Sequence, residues 1–208
     1  MRIEIIVLAA GRSRRFGRDN KLLALFEGEA LIVRTVRRVL GVRVAGHDVG
    51  VRVVTDNADG AVGAAIGAAR IAPGVRIVVN ARADKGMGTS VAAGIASLSY
   101  DIDAAVIVPG DMPFISAEVI AALIHAFVAD GGMRPACPVL ADGTQANPVI
   151  WPRGTFAKLA ALEGDKGGKG LLAGQSYCTI VLTDPIAAAD IDTPEDLAAL
   201  QVVGKSTG

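Results

Sequence analysis

Residues 3–11 read Ile-Glu-Ile-Ile-Val-Leu-Ala-Ala-Gly, a pattern that predicts the central strand of a sheet. Apart from Glu4, residues 3–9 are apolar and often β-branched, which is typical of a strand buried on both faces. A loop rich in Gly and Arg follows at residues 10–20. In an open α/β sheet this loop lies at the carboxyl edge of the strands, where ligands bind. The segment therefore predicts both a core strand and a binding loop.

The chain that follows alternates between helical and strand patterns. Apolar residues at 32, 33, 36, 39 and 40, with Arg on the opposite face, predict a helix over residues 30–40. Similar patterns predict further helices and strands, with helices at 59–70, 89–98 and about 116–128, and strands at 49–55, 75–80 and 104–109. Such alternation is typical of right-handed βαβ units, and it predicts a three-layer α/β/α, Rossmann-like fold with a mostly parallel sheet.

The alternation of strand and helix patterns ends near residue 130, and a C-terminal antiparallel element is expected beyond it. Two strands at 133–140 and 145–151 flank the turn sequence Ala-Asp-Gly-Thr, which indicates a hairpin. Further elements are predicted beyond the hairpin, with helices at about 153–162 and 166–173 and strands near 177–183 and 186–191. Thr193 as a cap, followed by Pro194, predicts the start of the last helix. We expect one domain over residues 1–203 and a frayed tail at 204–208.

Composition excludes several classes of protein. The 208 residues include 21 Lys and Arg against 21 Asp and Glu, so the formal net charge is zero, and 51% of the residues are apolar. Such a chain is too apolar to be disordered, and it has no general attraction for nucleic acid or an anionic membrane. Cys137 and Cys178 are too few and too distant for a disulfide framework or a C-x-x-C site. No signal peptide or membrane-spanning run is recognisable, so we expect a cytoplasmic protein.

The loop after the first strand is the strongest candidate for a binding site. It reads Leu-Ala-Ala-Gly-Arg-Ser-Arg-Arg-Phe-Gly over residues 8–17, and Lys21 follows four residues later. The backbone N–H groups of such a loop can form an anion-binding nest, and Arg15 and Lys21 add positive charge for a polyphosphate. The alternative is a solvated basic loop. A dinucleotide fingerprint is not supported because G-x-G-x-x-G is missing.

Two acidic segments follow predicted strands. Asp111 ends an apolar strand, where a carboxylate is costly to bury without a partner, and a Mg²⁺ ion shared with a phosphate would supply one. The alternative, a helix cap, is disfavoured because the next helix begins near Ser116. Asp190 and Asp192 alternate at the end of a predicted strand, so both would face one side and could meet a cation. Alternatively, Asp192 or Thr193 caps the last helix.

Three smaller clusters complete the set of candidates. Gly-Met-Gly-Thr-Ser at residues 86–90 opens a predicted helix, with Thr89 or Ser90 as the cap, and a helix N-terminus can bind an anion. Asn-Pro at residues 147–148 lies on the predicted hairpin, and Gly-Asp-Lys-Gly-Gly at residues 164–168 is expected to be a mobile loop. Each cluster taken alone is equally typical of a turn.

Together these motifs resemble those of a known family. The run Leu8-Ala9-Ala10-Gly11-x-Ser13-x-Arg15-Phe16-Gly17, with Lys21 beyond it, resembles the signature loop of nucleotidyltransferases of the nucleotide-diphospho-sugar transferase fold. Within that superfamily the chain resembles the MobA/MocA-like molybdenum cofactor nucleotidyltransferases, specifically the cytidylyltransferase branch. Supporting segments occur in the family's order over roughly residues 3–200, at 86–90, 110–113, 147–149, 164–167 and 190–197.

The resemblance implies a role for each motif. The residues implied to bind the nucleoside triphosphate are Leu8, Ala9, Ala10, Gly11, Ser13, Gly17, Asn80, Gly86, Thr89, Ser90, Pro109 and Gly110. The residues implied to be catalytic are Arg15, Lys21 and Asp111, the first two on the phosphates. The residues implied to hold Mg²⁺ are Asp111 and Asp192. The residues implied to face the acceptor substrate are Asn147, Pro148 and Asp165.

The implied reaction is transfer of CMP from CTP to a molybdopterin-type molybdenum cofactor, with release of pyrophosphate. Ala10 stands where the guanylyltransferase branch usually has a second Gly, which favours cytidine. A substrate phosphate is already anionic near neutral pH, so its attack on the α-phosphorus needs no general base. Catalysis would then rest on positioning and on charge neutralisation by Mg²⁺, Arg15 and Lys21.

The sequence is also compatible with other functions. Residues 146–148 read Ala-Asn-Pro where many of these cytidylyltransferases have Gly-His-Pro, so another acceptor, such as a sugar phosphate or a small phosphorylated alcohol, is an alternative. A non-catalytic partner that inserts molybdenum cofactor is a second alternative, and the missing fingerprint disfavours a third, a nicotinamide oxidoreductase. The expected partners are a nucleoside triphosphate, a molybdopterin-type small molecule and a molybdenum enzyme that accepts the product, without nucleic acid or membrane.

Overall fold

A seven-stranded sheet is built around the strand that the N-terminal segment predicts. The computed structural model describes residues 1–11, 16 and 20–204, the last five of them by their backbone alone. Strand β1 (Arg2–Leu8) pairs in parallel with β4 (Asp48–Thr55) on one side and with β6 (Ala104–Pro109) on the other, and β5 (Arg76–Val79) extends this parallel part beyond β4. Every residue of the β1 segment 3–7 is buried, as a central strand requires.

Three more strands continue the sheet beyond β6. Strand β8 (Val149–Pro152) runs antiparallel to β6, and β7 (Ala136–Val139) runs antiparallel to β8 and parallel to the edge strand β9 (Cys178–Val181). The order is therefore β5-β4-β1-β6-β8-β7-β9, and β2 (Leu25–Phe26) and β3 (Glu29–Ala30) form a separate antiparallel pair. Because β8 is antiparallel to β6, its first residues lie beside the carboxyl end of β6, which brings the segment before β8 to the carboxyl edge of the parallel strands.

Helices cover both faces of the sheet. One face is covered by α1 (Leu31–Leu40), α2 (Ala61–Ala68) and α4 (Ala117–Ala129), and the other by α3 (Met87–Ala96) and α5 (Phe156–Ala160). Strand β1 serves both cores, because Ile5 faces the first and Ile6 the second, as alternating strand residues do. The predicted three-layer α/β/α fold with a mostly parallel sheet and a C-terminal antiparallel element is confirmed.

The predicted strand over residues 186–191 is wrong. This segment begins with a 3₁₀ helix, Pro185–Ala188, whose N-cap is Asp184. The Asp184 carboxylate accepts a hydrogen bond from the N–H of Ile186 at 2.9 Å. An Asp cap followed by Pro at the first helical position is a helix start, and this local signal outweighs the apolar run that suggested a strand.

Several predicted helices have different bounds in the structure. The helix expected from residue 89 begins two residues earlier, at Met87, so neither Thr89 nor Ser90 is its cap. The glycine-rich segment expected to form a helix at 166–173 contains a 3₁₀ helix, Gly168–Leu171, since Gly disfavours a regular α-helix. Helix α6 (Pro194–Gly204) includes the first residue of the predicted tail, and residues 205–208 lie outside the described part of the chain. No helix in the described residues is long and apolar enough to cross a membrane.

Candidate active site

A cleft of about 640 Å³ opens at the carboxyl edge of the sheet. The ends of β1 and β6, the start of β8 and three loops from distant parts of the chain form its walls. The structure brings together here twelve of the residues that the sequence predicts as site residues, namely Leu8, Ala10, Gly11, Lys21, Gly86, Ser90, Pro109, Gly110, Asp111, Asn147, Asp165 and Asp192.

The other predicted site residues do not line this cleft or lie outside the described residues. Ala9 and Pro148 are buried, and the Ala9 N–H donates to the Val54 carbonyl at 2.8 Å. Asn80 and Thr89 are buried beside the cleft wall rather than in it. Three further predicted residues lie outside the part of the chain that the structure describes: Ser13, Arg15 and Gly17.

One lysine and two carboxylates form the charged centre of the cleft. The Nζ of Lys21 lies 2.5 Å from Oδ2 of Asp111 and 2.9 Å from Oδ1 of Asp192. The side chains of Lys21 and Asp111 are 16% and 13% exposed, whereas that of Asp192 is 45% exposed. The ammonium therefore sits between two carboxylates, one from the middle of the chain and one from its C-terminal part.

The position of Lys21 follows from its local sequence. It begins a short 3₁₀ helix, Lys21–Leu23, and the side-chain oxygen of Asn20 accepts from the Leu22 N–H at 3.0 Å. Leu22 is buried next to Gly110, where an added Cβ would lie 3.4 Å from the Leu22 side chain and 2.7 Å from the Leu8 carbonyl oxygen. The absence of a side chain at Gly110 thus allows the Lys21 segment, β1 and the end of β6 to approach one another closely.

Asp192 is held in place by its two neighbours in sequence. Ile191 is completely buried, and its N–H donates to the Asp111 carbonyl oxygen at 3.1 Å. The Thr193 hydroxyl accepts from the Asp196 N–H, and the Asp196 carboxylate accepts from the Thr193 N–H at 2.8 Å, which forms a reciprocal helix cap. Because Thr193 and Asp196 cap α6, the Asp192 carboxylate faces Lys21. The predicted strand is absent, yet Asp190 and Asp192 both line the cleft.

Burial and charge shift the pKa values of this centre. Burial acts to lower the pKa of Lys21, but the charges of Asp111 and Asp192 and the hydrogen bonds to them outweigh it, so the pKa lies above its usual value. Burial raises the pKa of the Asp111 carboxyl above its usual value, Lys21 opposes this rise, and Asp190 adds to it. Lys21 is therefore a permanent cation at neutral pH.

The two carboxylates fit a hard divalent cation. Both already contact one cationic group, the Lys21 ammonium, so both lie within reach of a single positive charge. Mg²⁺ binds carboxylate oxygens and completes its shell with water and substrate phosphates, so it does not require a larger protein cage. Within the described residues no cluster of three or more His, Cys, Asp or Glu side chains is arranged for a metal ion. Asp111 and Asp192 could hold a metal shared with a phosphate, since both reach one cation already.

A buried hydrogen-bond network supports the wall on the α3 side. The Asn80 amide donates to the Thr89 hydroxyl at 2.9 Å and to the Ser90 hydroxyl at 3.0 Å, and its oxygen accepts from the Arg82 N–H at 3.0 Å. Ser90 is the member of this network that lines the cleft. Asn80 and Thr89 therefore position the turn before α3, and the sequence patterns do not distinguish this supporting role from direct contact.

The N-terminus of α3 is in contact with a second predicted motif. The Gly88 N–H donates to the Gly164 carbonyl at 2.8 Å, so this donor of the helix end is satisfied within the protein. At Gly86, which has φ of +110°, an added Cβ would lie 2.3 Å from the Gly164 carbonyl carbon and 2.6 Å from the Asp165 nitrogen. Glycines at these positions let the 164–165 loop reach the helix, which brings Asp165 to the cleft.

Several residues that line the cleft are not among those predicted from the sequence motifs. The most informative are Trp151, which is the one Trp of the chain, and Lys169, which lies in the glycine-rich run at 164–170. Trp151 reads as an ordinary apolar residue of a strand, so no local pattern distinguishes it. The two lysines among the glycines of this run, Lys166 and Lys169, were the available signal. Asp84, Met87 and Val149 also line the cleft.

Comparison with known proteins identifies relatives of this fold. No curated protein matches the sequence. Among solved structures, a nucleotidyl transferase from Methanothermobacter has a TM-score of 0.77 and 23% identity, with 99% of each chain covered. The CMP:2-keto-3-deoxy-manno-octonic acid synthetase complexed with CTP has a TM-score of 0.76 and 17% identity, with both chains fully (100%) covered. Rv0371c of Mycobacterium tuberculosis, in complex with manganese, has a TM-score of 0.75 and 22% identity, covering 97% of this chain and 99% of its own.

These structural similarities, all below 25% identity, establish the fold. The family follows from a separate comparison with models of protein families. The model of the MobA-like NTP transferase domain matches residues 5–179, which include the second half of β1, the segment of Lys21 and the end of β6 with Asp111. The match spans well over half of the chain, and the protein therefore belongs to this family of nucleotidyltransferases.

Proposed function

We propose that this protein transfers CMP from CTP to a phosphorylated acceptor of the molybdopterin type, with Mg²⁺ and with release of pyrophosphate. The observation that carries the proposal is the convergence of Asp111 and Asp192 on Lys21 in a cleft at the carboxyl edge of the sheet. Fixed positive charge beside two carboxylates suits a triphosphate and a divalent ion that share one site.

Two observations support CTP as the nucleotide. Ala10 lines the cleft at the position where the resemblance to cytidylyltransferases favours cytidine. A synthetase of the same fold was solved with CTP bound. The proposed nucleotide site comprises the loop at residues 8–17, with Ser13, Arg15 and Gly17, together with Ser90, which Asn80 and Thr89 support.

Asp111 and Asp192 are proposed to hold the divalent ion. Rv0371c, a protein of the same fold, was solved with manganese, which supports a divalent ion in this kind of enzyme. When bound, the ion would neutralise negative charge on the triphosphate and on the leaving pyrophosphate.

The protein's own groups account for positioning and for charge. The Lys21 ammonium, held by its 3₁₀ helix, can bind a phosphate oxygen of the nucleotide without losing a proton, because its pKa is raised. The N–H groups at residues 10–11 are proposed to orient the triphosphate. A phosphate nucleophile needs no general base, so the task of the cleft is to align it with the α-phosphorus and to exclude water.

The acceptor is proposed to lie toward β8. Asn147, which lies just before β8, and Asp165 both line the cleft, and Pro148 follows Asn147 through a cis peptide bond. The antiparallel direction of β8 brings Asn147 to the same sheet edge as Asp111, so a nucleotide and an acceptor can meet between them.

Pyrophosphate release tests the proposal directly. The purified protein is incubated with Mg²⁺, with molybdenum-loaded molybdopterin, and with ATP, GTP, CTP or UTP in turn. We expect release that depends on the acceptor, is fastest with CTP, and stops when EDTA removes the metal. Background release with all four nucleotides would overturn the enzymatic proposal, and cofactor binding without release would favour the non-catalytic insertion partner.

A second candidate is a nucleotidyltransferase for a different phosphorylated acceptor. The observation that favours it is Asn147, an uncharged amide in the cleft where many molybdenum cofactor cytidylyltransferases have His. Replacing molybdopterin by sugar phosphates and by small phosphorylated alcohols in the same assay separates the two candidates, because CTP-dependent release would then follow the other acceptor.

A further inference from the structure

Lys169 occupies a defined position on the wall of the cleft toward β8. It belongs to the 3₁₀ helix Gly168–Leu171, and its Nζ donates to the Gln145 carbonyl oxygen at 3.1 Å. Gly168 is buried, and a Cβ added there would lie 3.3 Å from the Trp151 ring and 3.2 Å from the Leu159 side chain. The backbone of Gly168 therefore packs closely against Trp151 and Leu159, which fixes the position of the neighbouring Lys169 backbone.

The charges around the cleft make Lys169 distinctive. Among the described residues that line the cleft, five are carboxylates, namely Asp84, Asp111, Asp165, Asp190 and Asp192, and two are cations, Lys21 and Lys169. Lys21 is bound by two of the carboxylates. Lys169 is different, because in the described part of the chain its ammonium contacts a backbone carbonyl and no carboxylate.

The ammonium of Lys169 has donors left for a ligand. A lysine has three N–H donors, and the Gln145 carbonyl accepts one of them. Its positive charge also reaches the neighbouring strand β7, where it acts against the burial that raises the pKa of the Cys137 thiol. A partly buried cation with a neutral protein partner, on the wall of a cleft, is suited to bind an anion.

The topology separates the two cations of the cleft. Lys21 follows β1, whereas Gln145, which holds Lys169, precedes β8, and β6 with Asp111 at its end lies between β1 and β8. A reaction between two phosphates brings two anionic substrates together, and each is repelled by the carboxylates unless a cation holds it. One cation lies on each side of Asp111 in the strand order.

We propose that Lys169 binds the phosphate of the acceptor substrate, as Lys21 is proposed to bind that of the nucleotide. This inference rests on the proposed function, and it identifies the acceptor as a phosphate monoester bound on the β8 side of the cleft. Lys169 is then a specificity-determining residue, since an acceptor without a phosphate would lose this contact.

Kinetics of three variants test the assignment. Lys169→Gln removes the charge, Lys169→Arg keeps it, and Lys166→Gln is the matched control, because Lys166 is exposed in the same loop and does not line the cleft. We expect Lys169→Gln to raise the KM for the acceptor about 10- to 100-fold and leave the KM for CTP nearly unchanged. Lys169→Arg should restore most of the affinity for the acceptor, and Lys166→Gln should have the same KM values as the unaltered protein.

A binding measurement separates failure of this inference from failure of the proposed function. Inorganic phosphate is titrated calorimetrically into protein saturated with CTP and Mg²⁺, which requires no turnover. We expect about tenfold weaker phosphate binding in Lys169→Gln than in Lys166→Gln. Equal phosphate affinity in the two variants, or a loss of thermal stability in Lys169→Gln without a selective loss of phosphate binding, would show that Lys169 is a structural tether. Absence of pyrophosphate release with every acceptor would instead overturn the proposed function.

Discussion

Asp111 is the residue on which the proposed chemistry depends most directly. It is buried at the end of β6, it contacts Lys21 at 2.5 Å, and its backbone is fixed by the N–H of Ile191. A neutral amide of the same shape should cost little stability there, because Lys21 keeps Asp192 as a partner and burial already disfavours the charged form of Asp111, so function can be separated from folding.

We expect Asp111→Asn to lower kcat/KM for transfer by at least about 100-fold, since the carboxylate that balances Lys21 and holds the metal is lost. Thermal melting should change little. Asp142→Asn is the control, because Asp142 is exposed in the hairpin turn, where its side-chain oxygen accepts from the Thr144 N–H and an Asn can do the same. Full transfer activity in Asp111→Asn would contradict the assigned role.

Lys21 offers a second test at the same scale, through metal affinity. Its ammonium neutralises Asp111 and Asp192, so Lys21→Met leaves two carboxylates to attract another cation. We expect Mn²⁺ to bind the nucleotide-free variant about tenfold more tightly, as measured by electron paramagnetic resonance, while transfer falls by about 100-fold. The control is Lys158→Met, at an exposed position on α5. Unchanged Mn²⁺ affinity in Lys21→Met would argue against a metal at these carboxylates.

At the scale of elements, the close contact between α3 and the 163–165 loop joins two walls of the cleft. Gly86 and Gly88 leave room for the Gly164 backbone and the Glu163 backbone, and Arg82 forms a salt bridge to Glu163 at 2.6 Å. This exposed ion pair adds little stability by itself, so the absence of side chains at the two glycines is the main condition for the contact.

We therefore expect Gly86→Ala to lower the free energy of unfolding by about 2 kcal/mol, because φ of +110° is strained for alanine and its Cβ meets the Gly164 backbone. Acceptor KM should rise as well, since Asp165 is displaced. In the control, Gly67→Ala, nothing lies within 4 Å of the new Cβ in α2, and stability should rise by about 0.5–1 kcal/mol. Urea unfolding measures the free energy of unfolding of both variants. An equal change in the two would contradict the close contact between Gly86 and the Gly164 backbone.

At the scale of the whole molecule, stability and function occupy opposite ends of the sheet. Glu4 lies near the start of β1, about 13 Å from Leu8 at the cleft by strand rise. Its carboxylate pairs with Arg52 of the neighbouring strand at 3.1 Å, and both side chains are less than a tenth exposed. Arg76 on β5 adds a contact at 3.5 Å, and Gly50 leaves room for the carboxylate.

Glu4→Gln should therefore destabilise the protein without impairing transfer. It leaves Arg52 buried without its counter-charge, for which we expect a loss of about 3 kcal/mol in the free energy of unfolding. The kcat/KM should change by less than about twofold, because the pair and the cleft are distant. Asp48→Asn, which removes an exposed partner of Arg2, should cost less than about 0.5 kcal/mol. A large activity loss in Glu4→Gln at a temperature where it remains folded would contradict this separation.

The net charge of zero includes two oppositely charged segments near the two ends of the chain. Residues 11–21 contain five cationic side chains against one acid, whereas residues 190–196 contain four acids and no base. Lys21 and Asp192, one from each segment, are in contact in the folded protein. Neutral composition thus conceals two segments of opposite charge, and one residue of each, Lys21 and Asp192, lines the cleft.

The sequence by itself determined the layers of this protein and the edge at which its motifs lie. Buried β-branched runs such as 3–9 and alternating helical patterns are local signals, and parallel strands place their carboxyl ends at one edge. The family motifs therefore indicated Lys21, Asp111 and Asp192 before any contact was known. Local signals also gave one wrong prediction, the strand at 186–191. Asp184 and Pro185 start a 3₁₀ helix there, just before the apolar residues that suggested a strand.

Only the tertiary structure decided which of these residues touch. The hairpin signal indicated that β8 follows β7, but the antiparallel pairing of β8 with β6, which brings Asn147 to the cleft, is long-range and has no local signature. The contact between Gly86 and Gly164 and the place of Lys169 on the wall likewise depend on residues far apart in sequence. Periodicity reports which face of an element is buried, but the partner buried against it is selected by packing of the whole chain.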